Sequence, residues 1–209
     1  MAGVDRARLV PVVTIDRADD AVGLASAFVE GGLPVMEITL RTAAALDAIG
    51  RVADRVPEIA VGAGSVTSAA AASSVIDAGA RFVVSPGLDE GVVRTAQDGG
   101  VPVIPGIATA TELMRAMALG VETVKVFPAD VTGGPRLIEA LSAVWPRVRF
   151  VPTGGISADN AHRYLALAQV VAVGGSWMAP RASIAARDWR SITESAAAAV
   201  ALVSEVGRP

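Results

Sequence analysis

The sequence predicts an α/β protein built as one (β/α)8 TIM barrel, and three observations predict it. Short apolar runs alternate with Ala-rich amphipathic stretches along the whole chain, the pattern of βα units wrapped on a parallel sheet. The runs are rich in Val, Ile and Ala, as suits strands buried on both faces. Eight strand–helix pairs can be laid out, which is the count of a closed barrel. A doubly wound open sheet competes, but it uses fewer strands and one dominant Gly-rich turn. With 209 residues, 52% of them hydrophobic, the chain can bury one sizeable core and is short for two.

Residues 1–8 read as an N-terminal tail and 9–209 as the barrel with its C-terminal helix. The first strand is expected over 9–15 and its helix over 18–30, stopped by Gly31. The second strand covers 34–40, with a helix over 43–56 capped by Thr42. The third covers 59–63 and ends in Gly62-Ala63-Gly64-Ser65 before a helix over 67–78, capped by Thr67 and stopped by Gly79. Strand four is placed at 81–85 with a helix over 89–97, stopped by Gly99. Strand five spans 102–104, with a helix over 109–119 between the cap Thr109 and the stop Gly120. Strand six spans 123–127 with a helix over 135–144. Strand seven spans 149–152, with a helix over 157–168 capped by Ser157. Strand eight spans 170–174, and the last helix covers 188–206.

Composition excludes several chemistries. The absence of cysteine removes disulfides and thiolate metal sites. A lone histidine, His162, argues against His-rich metal centres and Ser-His triads. A net charge of −3 offers no basic footprint, so no nucleic-acid partner is expected. No uninterrupted apolar run reaches the length of about eighteen residues that reads as a membrane span, and no signal peptide is evident. The expectation is a cytoplasmic protein without membrane partner.

Lys125 is the only lysine beside seventeen arginines. It sits in the apolar run Val124-Lys125-Val126-Phe127-Pro128, a strand and not a solvated face. Burial disfavours an ammonium, and a free lysine amine can attack a carbonyl, which a guanidinium cannot. The alternative is a lysine reaching from a strand end into an ion pair.

Side chains alternate across a strand, so Glu37, Thr39 and Arg41 share one face of the second strand, and Thr123, Lys125 and Phe127 share one face of the sixth. Both sets point to the barrel interior, where active sites form at the C-terminal strand ends. The alternative for Glu37 and Arg41 is a structural i,i+4 ion pair. Gly-bearing turns end the last two strands, Thr153-Gly154-Gly155-Ile156-Ser157 and Gly174-Gly175-Ser176. There a barrel commonly builds a phosphate site from backbone N–H groups, and Ser176 adds a hydroxyl donor. Trp145, Trp177 and Trp189 read as packing residues, and Asp130 as a solvated loop carboxylate.

On these residues the chain resembles the 2-keto-3-deoxy-6-phosphogluconate and 4-hydroxy-2-oxoglutarate aldolase family. The likeness runs from about Val10 to Pro180. Its motifs are Glu37-Ile38-Thr39-Leu40-Arg41-Thr42, Gly62-Ala63-Gly64-Ser65, Ser85-Pro86-Gly87, Pro105-Gly106-Ile107-Ala108-Thr109, Val124-Lys125-Val126-Phe127-Pro128-Ala129, Pro152-Thr153-Gly154-Gly155-Ile156 and Gly174-Gly175-Ser176-Trp177. The resemblance implies a class I aldolase, homotrimeric, acting on a small-molecule 2-keto acid without cofactor or metal.

It implies Lys125 as the Schiff-base lysine and Glu37 as the proton shuttle. Arg41 and Ser65 are implied at the substrate carboxylate, and Pro86 and Phe127 in the pocket wall. Thr153, Gly154, Gly155, Gly175 and Ser176 are implied around the rest of the substrate. The family usually has threonine where this chain has Ser65, and the N-terminal segment is shorter than in relatives with an extra helix. Still open at this level are cleavage of 4-hydroxy-2-oxoglutarate in place of the phosphorylated sugar acid, a phosphate-binding isomerase or epimerase, and a non-catalytic sugar-phosphate sensor.

Overall fold

The computed structural model describes residues 2–207. Strands β1 (Leu9–Val13), β2 (Val35–Thr39), β3 (Ala60–Gly64), β4 (Val83–Val84) and β5 (Val103–Ile104) each precede a helix or turn in the expected order. They are followed by β6 (Gly106–Ile107), β7 (Thr123–Val126), β8 (Arg149–Phe150) and β9 (Val173–Gly175). Each expected strand is present, most of them shorter than read. The fifth appears as β5 and β6 because Pro105 lies between them and has no N–H to give to the ladder. Its carbonyl still accepts from Lys125 N at 2.9 Å.

All pairings are parallel. One six-stranded section runs β5-β4-β3-β2-β1-β9 and one three-stranded section runs β6-β7-β8. The end of β8 accepts from the segment before β9, Val171 N to Phe150 O at 3.0 Å, and just beyond β8 the chain meets β9 itself, Gly174 N to Pro152 O at 2.9 Å. An isolated parallel bridge also joins Thr153 to Gly174.

The intervening helices are α2 (Asp20–Glu30), α3 (Ala45–Arg55), α4 (Ala69–Asp77), α5 (Glu90–Asp98), α6 (Ala110–Ala118), α7 (Pro135–Val144), α8 (Ala161–Leu165) and α10 (Trp189–Val206). Their apolar stripes close over the sheet: Leu24 and Phe28 of α2, Ile49 and Val52 of α3, and Leu113 of α6 are fully buried. Two helices were not expected. The short helix α9 (Arg181–Ala185) follows β9, and α1 (Ala2–Ala7) occupies what the sequence reads as a tail. The reading of 1–8 as a tail is corrected over 2–8. Val4 is buried in the core, and buried Arg8 donates to Leu165 O at 2.7 Å and also to Gly207 O. Met1 lies outside the described residues.

A cavity of about 600 Å³ lies under α1, lined by Val4, Pro34, Ala60, Arg81 and Phe82 at the N-terminal ends of the strands. That end is remote from the chemistry that follows. No described helix is long and apolar enough to cross a membrane.

Candidate active site

Glu37 is the central residue of β2 and Lys125 the third of β7, and the two strands aim both side chains into the same interior. Lys125 Nζ lies 3.5 Å from Glu37 Oε1, with side chains 7% and 3% exposed. That oxygen has no hydrogen bond in the structure, so a buried carboxylate faces the amine with a lone pair unspent. Buried charges are retained only in company, and here each supplies the other's. The ion pair entertained between Glu37 and Arg41 is absent. Glu37 pairs with Lys125, and Arg41 Nε donates to Ser65 Oγ at 3.2 Å.

Neighbours fix both groups. Gly64 leaves room for the Glu37 carboxylate, since a Cβ there would come 2.0 Å from Oε1. Thr39, two residues after Glu37, donates to Val13 O at 2.9 Å and meets Thr14 Oγ1 at 3.0 Å. Thr39 has spent its one proton, so Thr14 is the donor between them. Lys125 Nζ stands 5.0 Å from the centroid of the Phe127 ring, close enough for cation–π attraction. Ser65 has a left-handed backbone with φ 58, where a β-branched residue is more strained than serine.

A cavity of about 510 Å³ opens at the C-terminal strand ends, with Arg41, Phe127, Thr153, Gly154, Gly155, Gly175 and Ser176 in its wall. Glu37, Lys125, Ser65 and Pro86 do not line it. Phe127 joins the cavity to Lys125, and Ser65 is tied to it through Arg41. Pro86 is linked to the lysine only through the neighbouring strand. Its carbonyl lies against Gly106, the residue in register with Lys125.

Several lining residues were not among the expected site residues, and three of them bear on the chemistry or the walls: Thr14, Trp177 and Arg181. Thr14 shares strand parity with Val12, which also lines the cavity, so alternation in β1 carried that signal. Trp177 both packs and lines: its ring covers Gly175, where a Cβ would come 1.8 Å from it. Arg181 is brought in by the turn after β9, and nothing periodic marks it. It forks onto Asp16, with Nε to Oδ2 at 2.8 Å and Nη2 to Oδ1 at 2.5 Å. That hydrogen bonding holds the Asp16 carboxyl below the ordinary carboxylate range, against slight burial and with help from the charge of Arg181. His162 lies on α8, exposed and away from the cavity. Among the described residues no group of three or more His, Cys, Asp or Glu could hold a metal ion.

The arrangement offers a buried amine beside a carboxylate, a guanidinium with a hydroxyl at one strand end, and backbone N–H groups of two Gly turns. Known proteins resemble this chain over most of its length. The chain is 46% identical over 190 residues to 2-dehydro-3-deoxy-phosphogluconate aldolase of Treponema pallidum, covering 91% of this chain and 90% of that one. It is 45% identical over 192 residues to the KHG/KDPG aldolase of Escherichia coli K12, covering 92% and 90%. Its fold superposes with a TM-score of 0.91 and 39% identity on KDPG aldolase of Legionella pneumophila, covering 95% and 97%. That crystal structure holds pyruvate as a covalent carbinolamine. The family model of KDPG and KHG aldolases matches residues 2–195, and the chain belongs to that family.

Proposed function

We propose that this protein is a class I aldolase that cleaves 2-keto-3-deoxy-6-phosphogluconate to pyruvate and glyceraldehyde 3-phosphate. The observation that carries the reading is the buried Lys125–Glu37 pair at 3.5 Å. A sensor has no need of this pair, whose burial is costly, and an isomerase or epimerase that used it without a covalent step would not be trapped by a reductant.

In this reading the neutral Lys125 amine attacks C2 and forms a carbinolamine. Glu37 moves the protons that let water leave, giving the protonated imine. The imine draws electrons from the C3–C4 bond, which breaks as the C4 hydroxyl loses its proton and becomes the aldehyde. The enamine left behind is protonated at C3, and hydrolysis frees pyruvate and the amine. Arg41 and Ser65 hold the substrate carboxylate. Thr153, Gly154, Gly155, Gly175 and Ser176 surround the remainder, with backbone N–H groups toward the phosphate. The same steps on 4-hydroxy-2-oxoglutarate give pyruvate and glyoxylate, and the dual name of the E. coli relative supports that second substrate.

We also infer a strand ring closed into a (β/α)8 barrel, a homotrimer and a cytoplasmic setting. The hydrogen bonds between the segment after β8 and β9 support closure. Exposed Met114, Val131 and Val144 are apolar surface that a subunit contact would cover.

Borohydride added with pyruvate tests the chemistry. The expected result is one reduced pyruvyl group on Lys125, located by peptide mass mapping. Because Lys125 is the sole lysine, only the N-terminal amine competes. No adduct, or one at Met1 alone, overturns the Schiff-base reading.

A further inference from the structure

The cavity has a guanidinium on either side of β1. Arg41 follows β2 and Arg181 follows β9, and β1 lies between those strands in the sheet. The Gly154-Gly155 turn is on the side of Arg181, because Thr153 bridges to Gly174 in β9. Asp16 takes two of the N–H groups of Arg181 and leaves the others to donate elsewhere. The side chain is 65% exposed, so the Arg181–Asp16 pair contributes little to stability. A planar fork pinned by a carboxylate, in the wall of the cavity that Gly154 and Gly155 also line, is suited to bidentate recognition of phosphate.

We propose that Arg181, oriented by Asp16, reads the phosphate at the far end of the substrate and makes the site selective for 2-keto acids that are anionic at both ends. The inference rests on the aldolase reading and adds a specificity-determining residue to it. Arg41 takes the carboxylate next to the carbon that Lys125 attacks. Arg181 supplies the cation that the Gly turns lack, because backbone N–H groups carry only partial charge. Asp16 is then a positioning residue. It offsets part of the charge of Arg181 and limits the side chain to one geometry, which favours a ligand anion of matching shape over diffuse attraction.

The test compares wild type, Arg181→Met and Arg181→Lys on 2-keto-3-deoxy-6-phosphogluconate and on the same sugar acid without phosphate. For Arg181→Met we expect kcat/KM on the phosphorylated substrate to fall about 10- to 100-fold, the usual effect of one lost charge-assisted contact. The plain sugar acid should change by less than about twofold. Arg181→Lys should recover part of the loss, since charge returns without the fork. Pyruvate trapping on Lys125 should be equal in all three proteins.

Equal losses on both substrates, or no loss on the phosphorylated one, overturn the assignment and leave Arg181–Asp16 as a tie between the segment after β1 and α9. A wild type that traps no pyruvate overturns instead the aldolase reading on which the assignment depends. Trapping that succeeds in wild type and fails only in Arg181→Met means that the residue acts at the lysine, which also sinks the phosphate role.

Discussion

The Glu37 carboxylate lies across Gly64, where a methyl group would come 2.0 Å from Oε1. Position, more than residue type, gives this carboxylate its use: one oxygen has no hydrogen bond and Lys125 Nζ is 3.5 Å away. Replacing Glu37 by Gln keeps the shape and removes the proton shuttle. Turnover should drop on the order of 10²–10⁴-fold, with the circular-dichroism melt still cooperative. Gly64→Ala should imitate it by pushing the carboxylate aside, lowering kcat more than it raises KM. A Glu37→Gln protein that unfolds, or one that turns over normally, leaves the pair as structure alone. Strand alternation was enough to bring Glu37 and Lys125 into one interior, although Arg41, expected on the same face, stands exposed in the wall of the neighbouring cavity. Alternation could not say that Glu37 would pair with Lys125 and Arg41 with Ser65, because that choice depends on which strands face each other. Nor could it recover Arg181, whose approach to the cavity is set by a turn and not by a period.

Elements were legible where one local rule governed them. The helix α6 begins as the sequence suggests: Thr109 Oγ1 accepts from Glu112 N, and a Glu112 carboxylate oxygen accepts from the N–H of Ala108 at 2.8 Å and of Thr109 at 2.9 Å. Other caps moved by a residue or more. Ser68, not Thr67, caps α4, and Thr42 spends its hydroxyl on Ile15 O instead of on α3. Asn160 stands at the start of α8 and accepts from the N–H of Ser157. Neighbouring candidates with the same chemistry differ only in backbone angle, which no composition reveals.

The α6 cap has a pH signature. The Ala108 N–H holds the Glu112 carboxyl below the ordinary range, burial opposes this, and Thr109 adds to it through hydroxyl and N–H. A carboxyl lowered by folding stabilises the folded state above the unfolded pKa, about 4.3 for Glu, and loses that contribution as pH falls through the folded value. Glu112→Gln should therefore cost about 0.5–1 kcal/mol in urea unfolding at pH 7 and less at about pH 3. A cost that is the same at both pH values would mean that charge plays no part in the cap.

On the scale of the whole molecule, the chain ends are tied to the middle by contacts that sequence distance conceals. Arg8 reaches Leu165 O, Arg149 pairs with Asp5, and Asp20 joins the start of α2 to the segment before α10. These ties hold α1, the segment that reads as a tail, against the rest of the fold: Asp5 meets Arg149 of β8, and Arg8 meets Leu165 of α8 and Gly207 after α10. Asp20 is the most buried of the acidic residues in these ties, accepting from Arg17 Nε at 2.9 Å and Arg187 Nε at 2.7 Å. Burial pushes its carboxyl up, but hydrogen bonds and charge from Arg17 and Arg187 outweigh it and hold the group below the ordinary carboxylate range. The folded value is depressed, so the contribution is complete above the unfolded pKa of about 3.9 and is lost as pH falls through the folded value. Both arginines are about half exposed, so solvent screens the pair and the full cost of a broken buried bridge does not apply. Asp20→Asn should lower the unfolding free energy by about 1–3 kcal/mol at pH 7, because a neutral amide oxygen replaces the charged acceptor and the amide N–H group faces the two guanidinium groups. The two proteins should draw together as pH falls through the folded value, because wild-type Asp20 then loses its charge as well. Urea midpoints measured from pH 7 down to about 2.5 decide it: curves that stay parallel throughout would show that Asp20 holds the two segments by shape and hydrogen bonding, and not by charge.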